Sequence, residues 1–269
     1  MDMAVQKINR IDTAIEIRDL CKEYGESGAA PVKALDGVNL SVRSGEIIGL
    51  VGPSGCGKST LLNLVAGLDS FSSGEVIVEG ERVVGPRRIG YVFQQDTLLP
   101  WRTVGGNAEF ALEVSGMVAA ERRDIAAGWL QKLGLGKFRD HFPHQLSGGM
   151  RKRLQLATVL ATEPRILLMD EPFGALDAQT RTLIEDDFLR LWREVGMTVL
   201  FVTHDLPEAI AMCTRVVIIT ARPGRVKSDY RIHLPTDLPT TERKLQPGFQ
   251  ELFSQIWGDL RDEVGSRLE

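Results

Sequence analysis

The chain has 269 residues, 43% of them hydrophobic, with 36 acidic against 32 basic side chains and a formal net charge of −4. That length can bury a sizeable core in one large domain or in a domain with an inserted lobe, and the charge lacks the basic footprint of a nucleic-acid binder, so no nucleic acid partner is expected. No apolar run approaches the ~18 residues needed to span a bilayer, and the opening MDMAVQKINRIDT has no apolar stretch of the kind a secretion signal needs, so the chain is expected to stay in the cytoplasm. The three cysteines, Cys21, Cys56 and Cys213, are odd in number and have no metal-like spacing, and they read as reduced thiols.

Taken in order, residues 1–13 are polar and aperiodic and read as a flexible tail. A strand is expected at 14–20, a turn-rich stretch at 22–31, and a half-buried strand at 38–43, where Val38, Leu40 and Val42 alternate. Tyr24 lies in that turn region, where it can stack on a nucleobase or pack against its own sheet. GEIIGLV (45–51) reads as a buried strand, GPSGCGKST (52–60) follows it, and a helix is expected over 58–68.

Gly52, Gly57, Lys58 and Ser59 occupy the fixed places of the phosphate-binding loop, Gly, any four residues, Gly, Lys, Ser/Thr. Glycines at 52, 55 and 57 are expected to take positive φ and to bring backbone N–H groups close to a polyphosphate. Lys58 supplies a charge to the β and γ phosphates, the Ser59 hydroxyl can ligate Mg²⁺, and the helix N-terminus faces the anion. The nucleotide-binding stretch is therefore Gly52, Pro53, Ser54, Gly55, Cys56, Gly57, Lys58, Ser59 and Thr60.

Short strands are expected at 74–80 and 89–93, the second delivering Gln94 and Gln95 at its end. From Thr97 to Thr162 the periodicity is helical without convincing strands, which predicts an inserted α-helical lobe, residues 97–162, between the two parts of an α/β body, 14–96 and 163–232. RILLMD (165–170) reads as a central parallel strand with Asp170 and Glu171 at its exit. A helix over 178–195, a strand at 198–205, a short helix at 207–213 and a strand at 215–220 complete a parallel sheet, whose ligand belongs at the carboxyl ends of the strands. RPGR (222–225) reads as a turn and 235–248 as Pro-rich and irregular. Within the C-terminal extension, 233–269, an amphipathic helix over 249–262 lines up Phe249, Leu252, Phe253, Ile256, Trp257 and Leu260. That face is expected to pack against its own domain, the alternative being a dimer or membrane-partner contact.

Two adjacent carboxylates at a strand end repel each other, and a divalent cation with a bound water resolves the conflict: Asp170 holds the metal shell and Glu171 orients the attacking water. His204, at the end of the next strand, can reach a γ-phosphate. Gln94 is neutral and flexible and suits contact with the metal or the water. The metal set is thus Ser59, Gln94 and Asp170, and the catalytic set Glu171, His204 and Gln94.

These residues, together with LSGGM at Leu146, Ser147, Gly148, Gly149 and Met150, resemble the ATP-hydrolysing subunit of an ABC transporter over about residues 14–262. The resemblance implies a P-loop NTPase (RecA-like) core with an inserted α-helical subdomain and N-terminal antiparallel β-strands. It makes Tyr24 the adenine-stacking aromatic, Gln94 the loop glutamine linking nucleotide to the transport channel, Glu171 the general base, His204 the switch histidine and Asp177 part of a loop crossing to a second subunit. It also implies that Leu146–Met150 binds ATP held by the partner's phosphate loop, which a Ser hydroxyl and glycine amides at a helix N-terminus suit. From this follow a homodimer with Mg²⁺ and ATP between subunits, an integral-membrane permease, a solute-binding protein outside the membrane, and a peripheral place on the cytoplasmic face. Met150, Lys152 and Gly174 stand where many relatives carry Gln, Gln and Ser, and none of the three departures removes a catalytic group. LLPW (98–101), EPFGALD (171–177) and ARPGR (221–225) are similar to importers of nitrate, sulfonates and taurine, an analogy resting on loops expected to lie away from the chemistry. The alternative is a non-transport ATPase of the same type acting on a macromolecular partner.

Overall fold

The computed structural model describes residues 13–25 and 31–265; the expected tail, apart from Thr13, and the middle of the expected 22–31 turn lie outside the described residues. The elements run β1 (Thr13–Tyr24), β2 (Val32–Arg43), β3 (Ile47–Val51), α1 (Lys58–Ala66), β4 (Ser73–Val78), β5 (Glu81–Arg82), β6 (Gly90–Val92), α2 (Val104–Val114), α3 (Ala119–Lys132), α4 (Gly148–Leu160), β7 (Ile166–Asp170), α5 (Ala178–Val195), β8 (Thr198–Thr203), α6 (Leu206–Met212), β9 (Arg215–Ile219), β10 (Val226–Arg231), α7 (Thr240–Lys244) and α8 (Phe249–Gly265).

Two sheets result. The first is antiparallel, in the order β2-β1-β4-β5, and the second runs β10-β9-β3-β8-β7-β6. In the second sheet β9, β3, β8, β7 and β6 are all parallel, and only β10 runs antiparallel, on β9. Every residue of β3, β7 and β8 is buried, as strands covered on both faces must be. Each fully buried Val, Leu or Ile there stabilises the fold by about 1.5–3 kcal/mol before entropy is counted. Because these strands are parallel, β3, β6, β7 and β8 all end at one edge, and the loops that carry Lys58, Gln94, Glu171 and His204 leave from that edge.

Two expectations need correction, and one strand is not anticipated by the sequence pattern. Lys22–Tyr24 is not turn but the end of β1, paired with β2 through Lys22–Leu35, Glu23–Lys33 and Tyr24–Val32. Residues 226–231, where the sequence suggests no element, form an edge strand whose positions alternate between half-buried and exposed with none fully buried, so its hydrophobic period-2 signal is weak. Within the stretch read as irregular, Thr240–Lys244 is a short helix started behind Pro239, with Thr240 and Arg243 wholly buried. The C-terminal helix does pack on its own chain: Phe249, Ile256 and Leu260 join the larger core against α6, β9 and β10, and Leu252 and Phe253 pack against that core, while Trp257 stays 42% exposed. Cys21, Cys56 and Cys213 are free thiols.

Candidate functional site

The loop after β3 is shaped by close backbone approach on two sides. Gly57 has φ 105°, and a Cβ there would lie 2.7 Å from Leu35 Cδ2 and 2.9 Å from the Ala34 carbonyl. Gly55 is also at positive φ, whereas Gly52 is not. Gly52 is required instead by packing, since its Cβ would meet the Ile219 carbonyl at 2.6 Å. The ARPGR turn, expected away from the chemistry, lies directly behind the loop: a Cβ on Gly224 would sit 2.2 Å from the Cys56 carbonyl. Gly224 also exchanges backbone hydrogen bonds with Ala34 and Asp36.

Within the loop, Lys58 is buried, and its Nζ donates to the Gly52 carbonyl (2.7 Å) and the Pro53 carbonyl (2.9 Å). Ser54, Gly55 and Ser59 are exposed, and Gly57 and Thr60 are half-buried. Pro53 and Cys56 are buried, and burial pushes the Cys56 thiol up, so Cys56 is a packing residue whose backbone N–H donates to Pro53.

Ser59 Oγ donates to Asp170 Oδ1 at 3.0 Å. Asp170 is only 8% exposed; burial pushes its carboxyl up, opposed by the Ser59 hydroxyl and reinforced by the neighbouring Glu171 charge. A buried carboxylate facing a hydroxyl is a hard-oxygen pair that fits Mg²⁺, an ion commonly held by one or two carboxylates plus substrate phosphates. Among the described residues, no group of three or more His, Cys, Asp or Glu could hold a metal without such help.

Glu171 turns out of β7 at φ 43°, a strained conformation for a residue with a side chain, fixed by its N–H donating to the Val202 carbonyl of β8 at 2.9 Å. Its Oε2 accepts from Gln94 Nε2 at 3.2 Å and lies 3.2 Å from His204 Nδ1. The structure therefore brings Gln94, Glu171 and His204, from three separate loops, onto one carboxylate oxygen. His204 is 58% exposed and Glu171 19%, so the cluster is open to an incoming group.

The signature segment is divided by its packing. Leu146 is buried in the core and Met150 packs against it, whereas Ser147 and Gly148 are exposed. Ser147 caps α4 by accepting from the Met150 N–H. Gly149 is fixed by α5, because its Cβ would lie 2.4 Å from Thr180 Cγ2. Among the described residues the side-chain hydrogen bonds of 146–150 stay within 146–151, and none reaches residues 52–60. Asp177 caps α5 through Oδ1, which accepts from Thr180 N–H at 3.0 Å, and that bond holds its carboxyl below the usual range.

Several residues not singled out in the sequence hold these loops. Gln155, 3% exposed on α4, donates to the carbonyls of Phe93 (3.4 Å) and Gln95 (3.2 Å) and to Thr97 Oγ1 (3.3 Å), and so grips the backbone on both sides of Gln94. Its Oε1 accepts from Lys152 at 2.6 Å, and burial lowers the Lys152 ammonium to about 8. Arg181 donates to the Leu176 carbonyl and to Asp205, which ties the loop before Asp177 to the residue after His204. A polar residue on an otherwise apolar helical face is the one signal in the sequence that could have marked Gln155.

Behind His204, the Thr203 hydroxyl accepts from the Asp205 N–H and donates to Glu208. Burial pushes the Glu208 carboxyl up to about 8, with Glu185 and Asp205 adding to the shift and the Thr203 hydroxyl opposing it. A carboxyl raised above its ordinary 4.5 binds its proton more tightly folded than unfolded. Its stabilising effect is therefore complete below about 4.5 and is lost as pH rises through about 8. Glu208→Gln can still accept from Thr203 and never ionises. Its melting temperature should gain on the wild type by roughly a few °C between pH 5 and 8, and thermal melts across that range check it; parallel curves would mean that Glu208 is ionised throughout.

The sequence profile of ABC transporters matches residues 35–174. An uncharacterised ABC transporter ATP-binding protein of Methanocaldococcus jannaschii is 45% identical over 271 residues, covering 100% of this chain and 99% of that protein. The nitrate import ATP-binding protein NrtD of Synechocystis is 41% identical over 262 residues, covering 95% of this chain and 98% of the relative. A solved dimeric structure of the ATP-binding cassette MJ0796 in a post-hydrolysis state, bound to ADP and Pi, superposes with a TM-score of 0.73 at 34% identity, covering 81% of this chain and 99% of that one. The profile match over more than half of the chain and two relatives that align along nearly its whole length decide the assignment, and this chain belongs to the ABC transporter family as one of its ATP-hydrolysing cassettes.

Proposed function

We propose that the chain is the ATPase subunit of an importer for a small oxyanion of the nitrate, sulfonate or taurine type, working as a homodimer that closes on Mg·ATP beneath a membrane permease. The observation that carries the reading is the convergence of Gln94 and His204 on the Glu171 carboxylate, on the same sheet edge as Lys58 and Ser59. The nitrate import relative supports the solute class.

Lys58 exchanges its carbonyl partners for the β and γ phosphates, and the N–H groups of residues 54–60 surround them. Bound between Ser59, Asp170 and the phosphates, Mg²⁺ would neutralise charge on the transferred group. Glu171 accepts a proton from the attacking water, Gln94 orients that water, and His204 faces the γ-phosphate. Ser147 and the free N–H groups at the start of α4 bind the γ-phosphate held by the other subunit, with Asp177 at the crossing. Residues 97–162 move as a lobe against the core of 14–96 and 163–232, and the segment from Gln94 to Trp101 passes that motion to the permease. Trp101, 72% exposed, would be the residue of that segment to touch it. No helix among the described residues is long and apolar enough to cross a membrane; the subunit would sit on the cytoplasmic face through its permease. A solute-binding protein outside the membrane would deliver the solute.

Light scattering on Glu171→Gln with and without Mg·ATP tests closure. ATP should convert monomer to dimer, and Ser147→Arg, which fills the signature face, should prevent it. A variant that binds ATP and stays monomeric even with permease present would overturn the dimer.

A further inference from the structure

Tyr24 is held from one side by a lysine that the reaction does not use. Lys22 is only 6% exposed. Its Nζ donates to Asp69 Oδ1 at 2.7 Å and to the Ser70 carbonyl at 2.6 Å, and it lies 4.5 Å from the centroid of the Tyr24 ring. The other oxygen of the same carboxylate, Asp69 Oδ2, accepts from the Tyr24 hydroxyl at 2.8 Å. Asp69 therefore ties the cation to one end of the aromatic ring while the cation covers one ring face.

A buried ammonium is costly unless it is fully partnered. Here its partners are a carboxylate, a carbonyl and a π face, a combination a purely apolar core position would not need. An aromatic ring has two faces, and Lys22 occupies one. A base can then stack only on the other, and the 44% exposure of Tyr24 leaves room for that. Fixing the hydroxyl removes the ring's rotamer freedom before any base arrives, so less ordering remains to be done on binding.

We infer that Lys22 and Asp69 are positioning residues for nucleobase recognition: bridged to each other, they lock the Tyr24 ring with a single face presented to adenine. The inference rests on Tyr24 being the adenine platform. It separates binding into a base-dependent part set by Lys22, Asp69 and Tyr24 and a phosphate-dependent part set by Lys58 and Ser59.

The test compares ATP with inorganic tripolyphosphate, which has the phosphates and no base, by calorimetric titration in the presence of Mg²⁺ on the full chain. Lys22→Met should weaken ATP about threefold to tenfold and leave tripolyphosphate unchanged. Lys22→Arg, which keeps a cation over the ring, should restore most of the loss. Tyr24→Ala should weaken ATP by about tenfold or more with tripolyphosphate again unchanged. Equal loss of both ligands in Lys22→Met would show a role in the fold alone and overturn the inference. So would unchanged ATP affinity in Lys22→Met alongside a loss in Tyr24→Ala, and in that case the adenine platform survives. Unchanged ATP affinity in Tyr24→Ala removes the platform and the inference together. If Lys22→Met does not fold, Asp69→Ala removes the same bridge from its more exposed end and is read in the same way.

Discussion

Glu171→Gln should lower ATP turnover by about 10²- to 10⁴-fold, the range for removal of a positioned general base, while ATP affinity stays within about threefold. The amide has nearly the shape of the carboxylate and sits on the same backbone, held at φ 43° by the bond to Val202. It cannot take a proton from water, and wherever its nitrogen replaces Oε2 it cannot accept from Gln94 Nε2 as the carboxylate does at 3.2 Å. Phosphate release under single-turnover conditions, beside an equilibrium binding measurement, checks both halves. Turnover near wild type would move the base to another group, of which His204 is the one in place. A loss of affinity equal to the loss of turnover would mean that Glu171 shapes the site rather than drives the chemistry.

Lys58→Met should weaken ATP by about two orders of magnitude, since a charge-assisted hydrogen bond contributes about 1.5–3 kcal/mol and Lys58 can make more than one to the phosphates. The readout is a thermal melt with and without nucleotide. At a ligand concentration about 100 times the wild-type dissociation constant, ATP stabilises the wild type by about 2.7 kcal/mol, and a 100-fold weaker variant by only about 0.4 kcal/mol. The melt without nucleotide reports the other function of this lysine, because Nζ also closes the loop onto the Gly52 and Pro53 carbonyls. A small shift there with the ATP-induced shift gone assigns Lys58 to the phosphates. A large shift without nucleotide assigns it mainly to loop structure.

The parts legible in the sequence share a physical basis. The phosphate loop could be read because, Gly52 apart, its fixed positions answer local demands: positive φ at Gly55 and Gly57, a charge at 58, a hydroxyl at 59. The strands at 47–51, 166–170 and 198–203 could be read because burial on both faces writes an unbroken apolar run, and the helix at 178–195 because Asp177 caps it and Gly196 ends it. The weaker elements escaped for the opposite reason. β10 is an edge strand stabilised by its pairing with β9 rather than by a pattern of its own. The short α7 is set by Asp186, whose carboxylate accepts from both the N–H and the hydroxyl of Thr240 across 54 residues of chain.

The sequence by itself determined which groups exist and that they leave the ends of parallel strands: Lys58 and Ser59, Asp170 and Glu171, His204, Gln94. Only the tertiary structure decided that Gln94 and His204 meet on a single oxygen of Glu171, that Gln155 grips the backbone around Gln94, that Gly224 backs the phosphate loop, and that Lys22 and Asp69 hold Tyr24. The reason lies in the range of the forces. Backbone conformation and burial period act over a few residues and leave a mark at that scale. Hydrogen bonds between separate segments join residues 45 to 77 positions apart, as in Tyr24 to Asp69 and Gln94 to Glu171, and their geometry is fixed by sheet order and strand register, which no local stretch of sequence contains.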